Sequence, residues 1–283
     1  MSTLYLVSTP IGNLADLSPR AEETLRSVDR ILAEDTRRTR ILTERVGSVA
    51  PLISCHQHNE RSRTPQVLQW LDGGEDLALV SDAGTPLVSD PGESLVDAVV
   101  AAGHTVVPIP GASAAVAALV ASGLPTDRFT FLGFPDRKGR GRNELLERVA
   151  ISAETVVLFE SPQRIARLLA DLAEVCGADR RASVARELTK IHEEIRRGTL
   201  GDLAEYYDQQ ATKGEITVVV AAAERQERGR EEVEEEAREL ARKLIATAMR
   251  PSEVSKTLAA RLDLSRNDAY RIVQDLRGSV DQG

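Results

Sequence analysis

Aromatic side chains are scarce: one Trp, four Tyr and four Phe make up 3% of 283 residues. Proteins that read single-stranded RNA on an open sheet stack its bases on aromatics, so this composition argues against that mode. A basic excess is also missing. Lys and Arg number 36 against 44 Asp and Glu, a net charge of −8, which opposes broad electrostatic binding to nucleic acid but leaves room for local basic patches. Two cysteines, Cys55 and Cys176, are too few for a disulfide framework and point to a reducing, cytoplasmic setting. The amino terminus, MSTLYLVSTPIG, has neither the basic start nor the long apolar core of a signal peptide. One uncharged stretch, 105–126, approaches the length of a membrane span. Pro108, Pro110, Gly111 and Ser113 interrupt it, so it reads as strand, turn and buried helix. Neither G-x-G-x-x-G nor G-x-x-x-x-G-K-[ST] occurs, which removes the standard dinucleotide and P-loop sites.

Short apolar runs alternate with helical patterns. Leu4–Ser8, Ile31–Ala33, Leu77–Val80 and Thr105–Ile109 read as strands. Ser18-Pro19 opens a helix, Val67–Leu71 lies on one closed by Gly73-Gly74, and Glu93–Ala102 and the alanine-rich run before Gly123 are two more. This order predicts a mostly parallel sheet and an α/β class. A second unit opens at Phe129–Leu132. It continues with helices Asn143–Val149 and Pro162–Val175 and strands Thr155–Phe159, Ser183–Arg186 and Ile216–Val220. After Glu224 come a charged amphipathic helix and two short ones, with Ser252 and Ser265 as expected caps. The expected division is an α/β domain over 1–124, a second over 125–223, and a linker helix with a helix-turn-helix-like tail over 224–283.

Three loops rich in small residues follow strands: Ser8–Asn13, Ser81–Gly92 and Pro110–Ala114. Ligands of open parallel sheets bind beyond the carboxyl ends of strands, and small residues let them approach the backbone. Tight turning alone is the plain alternative. Gly111-Ala112-Ser113-Ala114-Ala115 imitates a nucleophile elbow but lacks its final glycine; a hydrolase would need Asp171 or Asp179 and His192 as partners. Cys55, His56, His58 and Glu60 suggest a metal only weakly, with no second ligand cluster, so the reading is a polar loop edge with no metal. His58 and Glu60 as substrate contacts are the functional alternative. Arg37, Arg38 and Arg40 form either a solvated helix face or a basic patch. Arg137, Lys138, Arg140 and Arg142, with two glycines between them, suit a mobile arm gripping phosphates, or plain solubility. Glu187, Lys190, Glu193 and Glu194 read as a surface ion-pair ladder, with Lys190 or Glu187 able to move a proton.

Taken in order, LYLVSTPIGNLADLSPRA, AEDTRRT, SCHQHNE, LVSDAGTPLVSDPG, VPIPGASA, LPTDRFTFLGFP, LFESPQRI, RELTKIHEE and GEITVVVA resemble the ribosomal RNA small subunit methyltransferase I family, within the tetrapyrrole methylase superfamily. The resemblance spans about residues 4–223, and the tail is similar to that family's small carboxyl-terminal helical domain. It implies a tetrapyrrole methylase-like fold of two α/β domains with S-adenosylmethionine in the cleft between them. It also implies 2′-O-methylation of cytidine 1402 in 16S ribosomal RNA of the small ribosomal subunit, and a homodimer.

By the same resemblance, Pro10, Ile11 and Gly12 form the first cofactor loop, where the superfamily often has G-x-G-x-G-D and this chain has STPIGNL. Asp82, Ala83, Gly84, Thr85 and Val88 lie near the methionine part, and Pro110, Gly111, Ala112 and Ser113 line the other side. Phe159, Glu160, Ala185, Arg186, Glu187, Glu215 and Ile216 approach the adenosine. Methyl transfer from a sulfonium to a ribose oxygen needs positioning, water exclusion and a proton acceptor, not a metal. Candidates for the acceptor are Glu187, Lys190 and His58. RNA contacts fall to Arg37, Arg38, Arg40, Arg137, Lys138, Arg140 and Arg142, with Arg261, Arg266 and Arg271 on the tail. Two other functions fit parts of this pattern. A methyltransferase acting on a small tetrapyrrole would need neither basic loop nor tail. A ligand-sensing DNA-binding regulator would need a clearly basic recognition helix, and SRNDAYRIVQDL is not one.

Overall fold

Leu77–Val80 (β4) is buried at all four positions, the signature of a strand covered on both faces. In the computed structural model, which describes residues 2–223, 230–247, 249–262 and 264–280, it is the middle strand of a five-stranded sheet. Its companions are Thr3–Val7 (β1), Arg30–Ala33 (β2), Leu52–Ser54 (β3) and Thr105–Ile109 (β5), in the order β3-β2-β4-β1-β5, all parallel. Register is set by pairs such as Leu4 with Leu77 and Val7 with Ile109. The connecting helices are Pro19–Ser27 (α1), Thr36–Val46 (α2), Glu60–Asp72 (α3), Glu93–Ala101 (α4) and Ala114–Ala121 (α5). Ser18 caps α1 by accepting from the Ala21 N–H at 3.2 Å, with Pro19 in the first turn, as its sequence predicts. The uncharged 105–126 stretch resolves into β5, a turn and α5. Among the described residues no helix is long and apolar enough to cross a membrane.

The second sheet departs from the parallel expectation. Its strands are Phe129–Phe131 (β6), Thr155–Glu160 (β7), Arg181–Arg186 (β8), Glu194–Thr199 (β9) and Ile216–Val220 (β10), ordered β6-β7-β10-β8-β9. Only β6 and β7 run parallel; the other pairs are antiparallel. The strand that changes the count, β9, reads EIRRGT and shows no apolar run. It lies at the sheet edge, where charged residues blunt unwanted pairing. Helices Arg140–Ile151 (α6), Ile165–Cys176 (α7) and Leu200–Asp208 (α8) accompany this sheet. α7 buries Ile165, Leu168, Leu169 and Leu172 against Leu158 and Val218, each such side chain stabilising by roughly 1.5–3 kcal/mol.

Both sheets fall within one compact unit, Met1–Ala223; Glu224–Gly283 is another. In the latter, Arg230–Ala246 (α9), Pro251–Leu262 (α10) and Arg266–Val280 (α11) close over Ala237, Ala241, Val254, Leu258 and Ile272. Ser265 caps α11 by accepting from the Asp268 N–H at 3.0 Å. Ser252 does not cap α10, because it already lies inside that helix after Pro251. Arg271, expected to reach RNA, is engaged by Glu234 and Asp268 at 2.9 and 3.3 Å. Residues 224–229, where the expected tail begins, lie outside the described residues.

Candidate active site

β1 and β4 are neighbours, yet the chain leaves them in opposite directions: from β1 past β4 to β2, and from β4 past β1 to β5. A crevice opens at such a switch point, beyond the carboxyl ends of the strands. Here the two departing loops are stitched by a bridge in which Thr9 N–H donates to Gly84 C=O at 2.8 Å and Gly84 N–H to Thr9 C=O at 3.0 Å. Gly84 holds φ +82°, open to glycine without penalty. The Ser8 hydroxyl donates to Thr85 Oγ1 (3.1 Å), and the Thr85 hydroxyl donates to the Ala112 carbonyl (3.2 Å), so one residue ties three loops. Gly111 lies so near Ser8 that a Cβ there would sit 2.8 Å from the Ser8 Cβ.

A cavity of about 390 Å³ lies above this crevice, within the size range of small-molecule sites. From the first sheet it is lined by Ile11, Asp82, Ala83, Gly84, Thr85, Val88 and Ser113, all expected there, and by Arg38, Ser89, Asp90 and Ala114. From the second come the expected Phe159, Glu160, Ala185, Glu215 and Ile216, together with Phe134, Ser161, Pro162, Leu188, Gly214 and Thr217. Phe134 and Phe159 face each other at 5.3 Å between ring centroids. Their positions in the GFP and LFE motifs are the signal that reveals Phe134 only after β6 and β7 are seen to pair.

The remaining expected residues shape the cavity from outside its wall. Pro10 turns to a second, smaller cavity. Gly12 packs on the loop between β8 and β9: a Cβ there would meet Lys190 Cγ at 2.5 Å and Thr189 Oγ1 at 2.8 Å. Pro110 and Gly111 are exposed, and Ala112 contributes its carbonyl to Thr85. Arg186 is held by Glu194 at 3.1 Å. Glu187 folds back over Gly214, where any side chain would collide with its carboxylate.

Asp82, Asp90 and Glu215 line the cavity with the buried Glu160 in its wall, against one guanidinium, a balance that suits a cationic ligand. Glu160 is fully buried at its side chain. Its Oε1 accepts from Ser161 N–H at 2.7 Å and Arg164 Nε at 2.6 Å, while Oε2 has no partner among the described residues. A buried carboxylate oxygen without a donor is costly unless a ligand supplies one. Burial, then the nearby Asp82 charge, raises the Asp90 carboxyl above its ordinary range; burial, Asp90 and Asp82 do the same for Glu34 behind it. Backbone strain gathers at the same place. Leu87, Ser89, Glu187 and Thr189 all hold φ between +53° and +71° in the two loops flanking the cavity, at a cost of about 1–3 kcal/mol each.

The expected proton acceptors fare differently. Lys190 Nζ donates to Glu187 Oε1 at 2.7 Å and pairs with Glu215 at 3.2 Å. Burial pulls the ammonium pKa down, but these two carboxylates outweigh it, so Lys190 keeps its proton. The same bond from Lys190 holds the Glu187 carboxyl below its usual range, and Glu187 also accepts from Glu215 N–H at 3.0 Å. Both are committed to the loop's shape. His58 is exposed, beside the His56 ring, and does not line the cavity. Glu60 is no substrate contact: it is buried at the start of α4, accepting from Gly92 and Leu95 N–H groups and the Ser94 hydroxyl at 3.2, 2.8 and 2.6 Å. Burial would raise its carboxyl pKa, but those bonds outweigh it and hold it low. Cys55 is buried, its thiol pushed up to about 11. Among the described residues no group of three or more His, Cys, Asp or Glu could hold a metal ion.

The expected mobile arm also needs correction. Arg140 and Arg142 lie in α6, and Arg142 is 4% exposed. Its Nε and Nη2 donate to Asp171 Oδ2 at 3.0 and 2.6 Å and its Nη1 to the Asp136 carbonyl at 3.2 Å, so it is a structural clasp. Arg137, Lys138 and Arg140 are exposed.

Two sheets joined over a crevice at the switch point define a class. A family model for Tetrapyrrole (Corrin/Porphyrin) Methylases matches residues 3–204, and the chain belongs to that family. The fold agrees with the X-ray structure of the cobalamin biosynthetic enzyme cobalt precorrin-4 methyltransferase, at a TM-score of 0.60 and 18% identity over 77% of this chain and 94% of that one. Within the class the chain belongs to the ribosomal RNA small subunit methyltransferase I family. It is 46% identical to the Synechocystis sp. protein of that name, over 98% of this chain and 99% of that protein. It is 50% identical to the Xylella fastidiosa one over 78% and 82%.

Proposed function

We propose that the chain binds S-adenosylmethionine in the larger cavity and methylates the 2′-oxygen of cytidine 1402 in 16S ribosomal RNA. The observation that carries the first half is the buried, unpartnered Glu160 oxygen on the wall of an acidic, partly apolar cavity. The names of the relatives support methylation of small-subunit ribosomal RNA, and the motif resemblance supplies the nucleotide and the ribose oxygen. The residues fit the group. Asp82, Asp90 and Glu215 suit its positive charges, Phe159, Ile216 and Leu188 its adenine, and Glu160 Oε2 a donor on the nucleoside. When bound, the cofactor supplies an electrophilic methyl carbon on a sulfonium. The chain's part is to orient it through loops that Thr85 and the Thr9–Gly84 bridge hold still, and to exclude water. Activity within the small ribosomal subunit, a homodimeric state and a cytoplasmic location belong to the same reading.

The decisive experiment supplies tritiated S-adenosylmethionine and small ribosomal subunits lacking the modification, then maps the labelled nucleotide. Label on the ribose of cytidine 1402 is expected. Label elsewhere, or none with competent subunits, overturns the reading. Affinity for the cofactor also titrates. Because the Asp90 carboxyl is raised, it takes up its proton at a pH above the ordinary aspartate value of about 3.9. Cofactor affinity therefore falls as pH is lowered through the raised Asp90 value, and Asp90→Asn flattens that fall in calorimetry.

A further inference from the structure

A second cavity, of about 240 Å³, adjoins the first. Arg38 and Asp82 line both, so their ion pair, at 3.1 Å, is the partition between them. The other walls join apolar side chains, Pro10 and Leu14 from the loop after β1 and Ile41 and Leu42 from α2, to the small polar Thr9, Thr39 and Ser81. Leu14 is 38% and Ile41 62% exposed. Single exposed apolar side chains need no explanation, but two flanking one cavity make a patch. The element beside it is basic in an acidic chain. α2 carries Arg37, Arg38, Arg40 and Arg45 against one acid, Glu44. Arg37 and Arg38 are paired to Asp35 and Asp82, while Arg40 and Arg45 make no ion pair among the described residues.

We propose that this second cavity receives the acceptor nucleotide, turned out of the RNA, with its base against Leu14 and Ile41 and its flanking phosphates on the arginines of α2. The proposal rests on the methyltransferase reading above. Enzymes that select one nucleotide of a folded RNA can lift it from its neighbours, and the pocket that receives it then covers the faces of its base. A hollow that shares a wall with the donor cavity brings the sugar to that wall while the base stays covered. An apolar floor with a cationic rim matches an anionic chain bearing a flat, uncharged base, and aliphatic walls serve where aromatics are scarce.

The test uses the full chain and small ribosomal subunits reconstituted with 16S RNA in which pyrrolo-cytidine, a fluorescent cytidine analogue, replaces the acceptor. Unstacking raises its fluorescence. Wild-type protein is expected to raise it without cofactor. Ile41→Trp, filling the hollow from an exposed position, abolishes the rise. Leu14→Ser weakens subunit binding by about 10-fold, the scale of one lost base contact. Calorimetric affinity for S-adenosylhomocysteine is unchanged in both. Four outcomes overturn the assignment: no rise with wild type; a rise that survives Ile41→Trp; weakened subunit retention with the rise per bound complex intact, which marks a contact to ribosomal protein; and loss of cofactor affinity in parallel, which marks a damaged donor cavity. Failure of wild type to methylate unmodified subunits rejects the underlying reading instead, since the variants play no part in that assay.

Discussion

At the scale of single residues, the same side-chain type serves opposite ends according to burial. Arg142 and Arg140 are two positions apart in α6, but one is enclosed with Asp171 and the other pairs with Glu144 in solvent. Removing one partner of a buried pair leaves an uncompensated charge. Arg142→Ala is therefore expected to lower unfolding free energy by about 3 kcal/mol, read from urea titration. Arg140→Ala leaves the urea midpoint in place, since an exposed pair contributes little. Charge reversal at Arg137, Lys138 and Arg140 weakens methylation of RNA and spares cofactor affinity; a loss of cofactor affinity would refute that division. Glu160→Gln keeps the shape but removes the charge and one acceptor face. It should weaken cofactor binding by about 10-fold or more in calorimetry, the scale of a charged hydrogen bond. Glu187 behaves in the reverse sense to Asp90. Its lowered carboxyl pKa contributes stability at neutral pH that is lost as pH falls through the folded value, whereas raised Asp90 costs stability at neutral pH and that cost is relieved in acid.

At the scale of elements, loops matter through how closely they touch. Gly111→Ala places a Cβ 2.8 Å from Ser8 Cβ and must push two loops apart. Displacement of about 1 Å at a reacting centre costs on the order of 100-fold. A fall in kcat/KM of that size, with an unaltered circular dichroism spectrum, is the expected result. The loops that line the cavity were legible because each follows an apolar run and is built from Gly, Pro, Ser and Asp. The strands β2, β4, β7 and β10 were legible because they are largely buried and therefore apolar, and β1 and β5, less buried, because short runs of Leu, Val and Ile still mark them. β9 was not, since a half-exposed edge strand of Glu, Arg and Thr carries no such mark. α2 carries a weak apolar mark because its first turns are Thr and Arg, and the Asp35 cap, accepting from Arg37 N–H at 2.9 Å, sets its start. α3 begins at Glu60, ahead of its apolar stretch, and the side chain of that glutamate accepts from the start of another helix.

At the scale of the molecule, all residues lining the two cavities fall before Ala223, and the segment after it has its own apolar centre. A chain ending at Ala223 is expected to retain cofactor affinity in calorimetry; its loss would show that the tail supports the site. Order along the sequence and order in space differ most at the start. β1 lies between β4 and β5, so neither of its partners exists until residues 77 and 105 have been added. Contacts so distant along the chain close slowly. During synthesis the segment TLYLV therefore waits unpaired while about seventy more residues emerge at roughly 5–20 per second. For several seconds of each round of translation, the strand that later anchors the first loop of the cavity is an apolar segment without its neighbours. A chaperone's cover over that interval would keep it from pairing elsewhere.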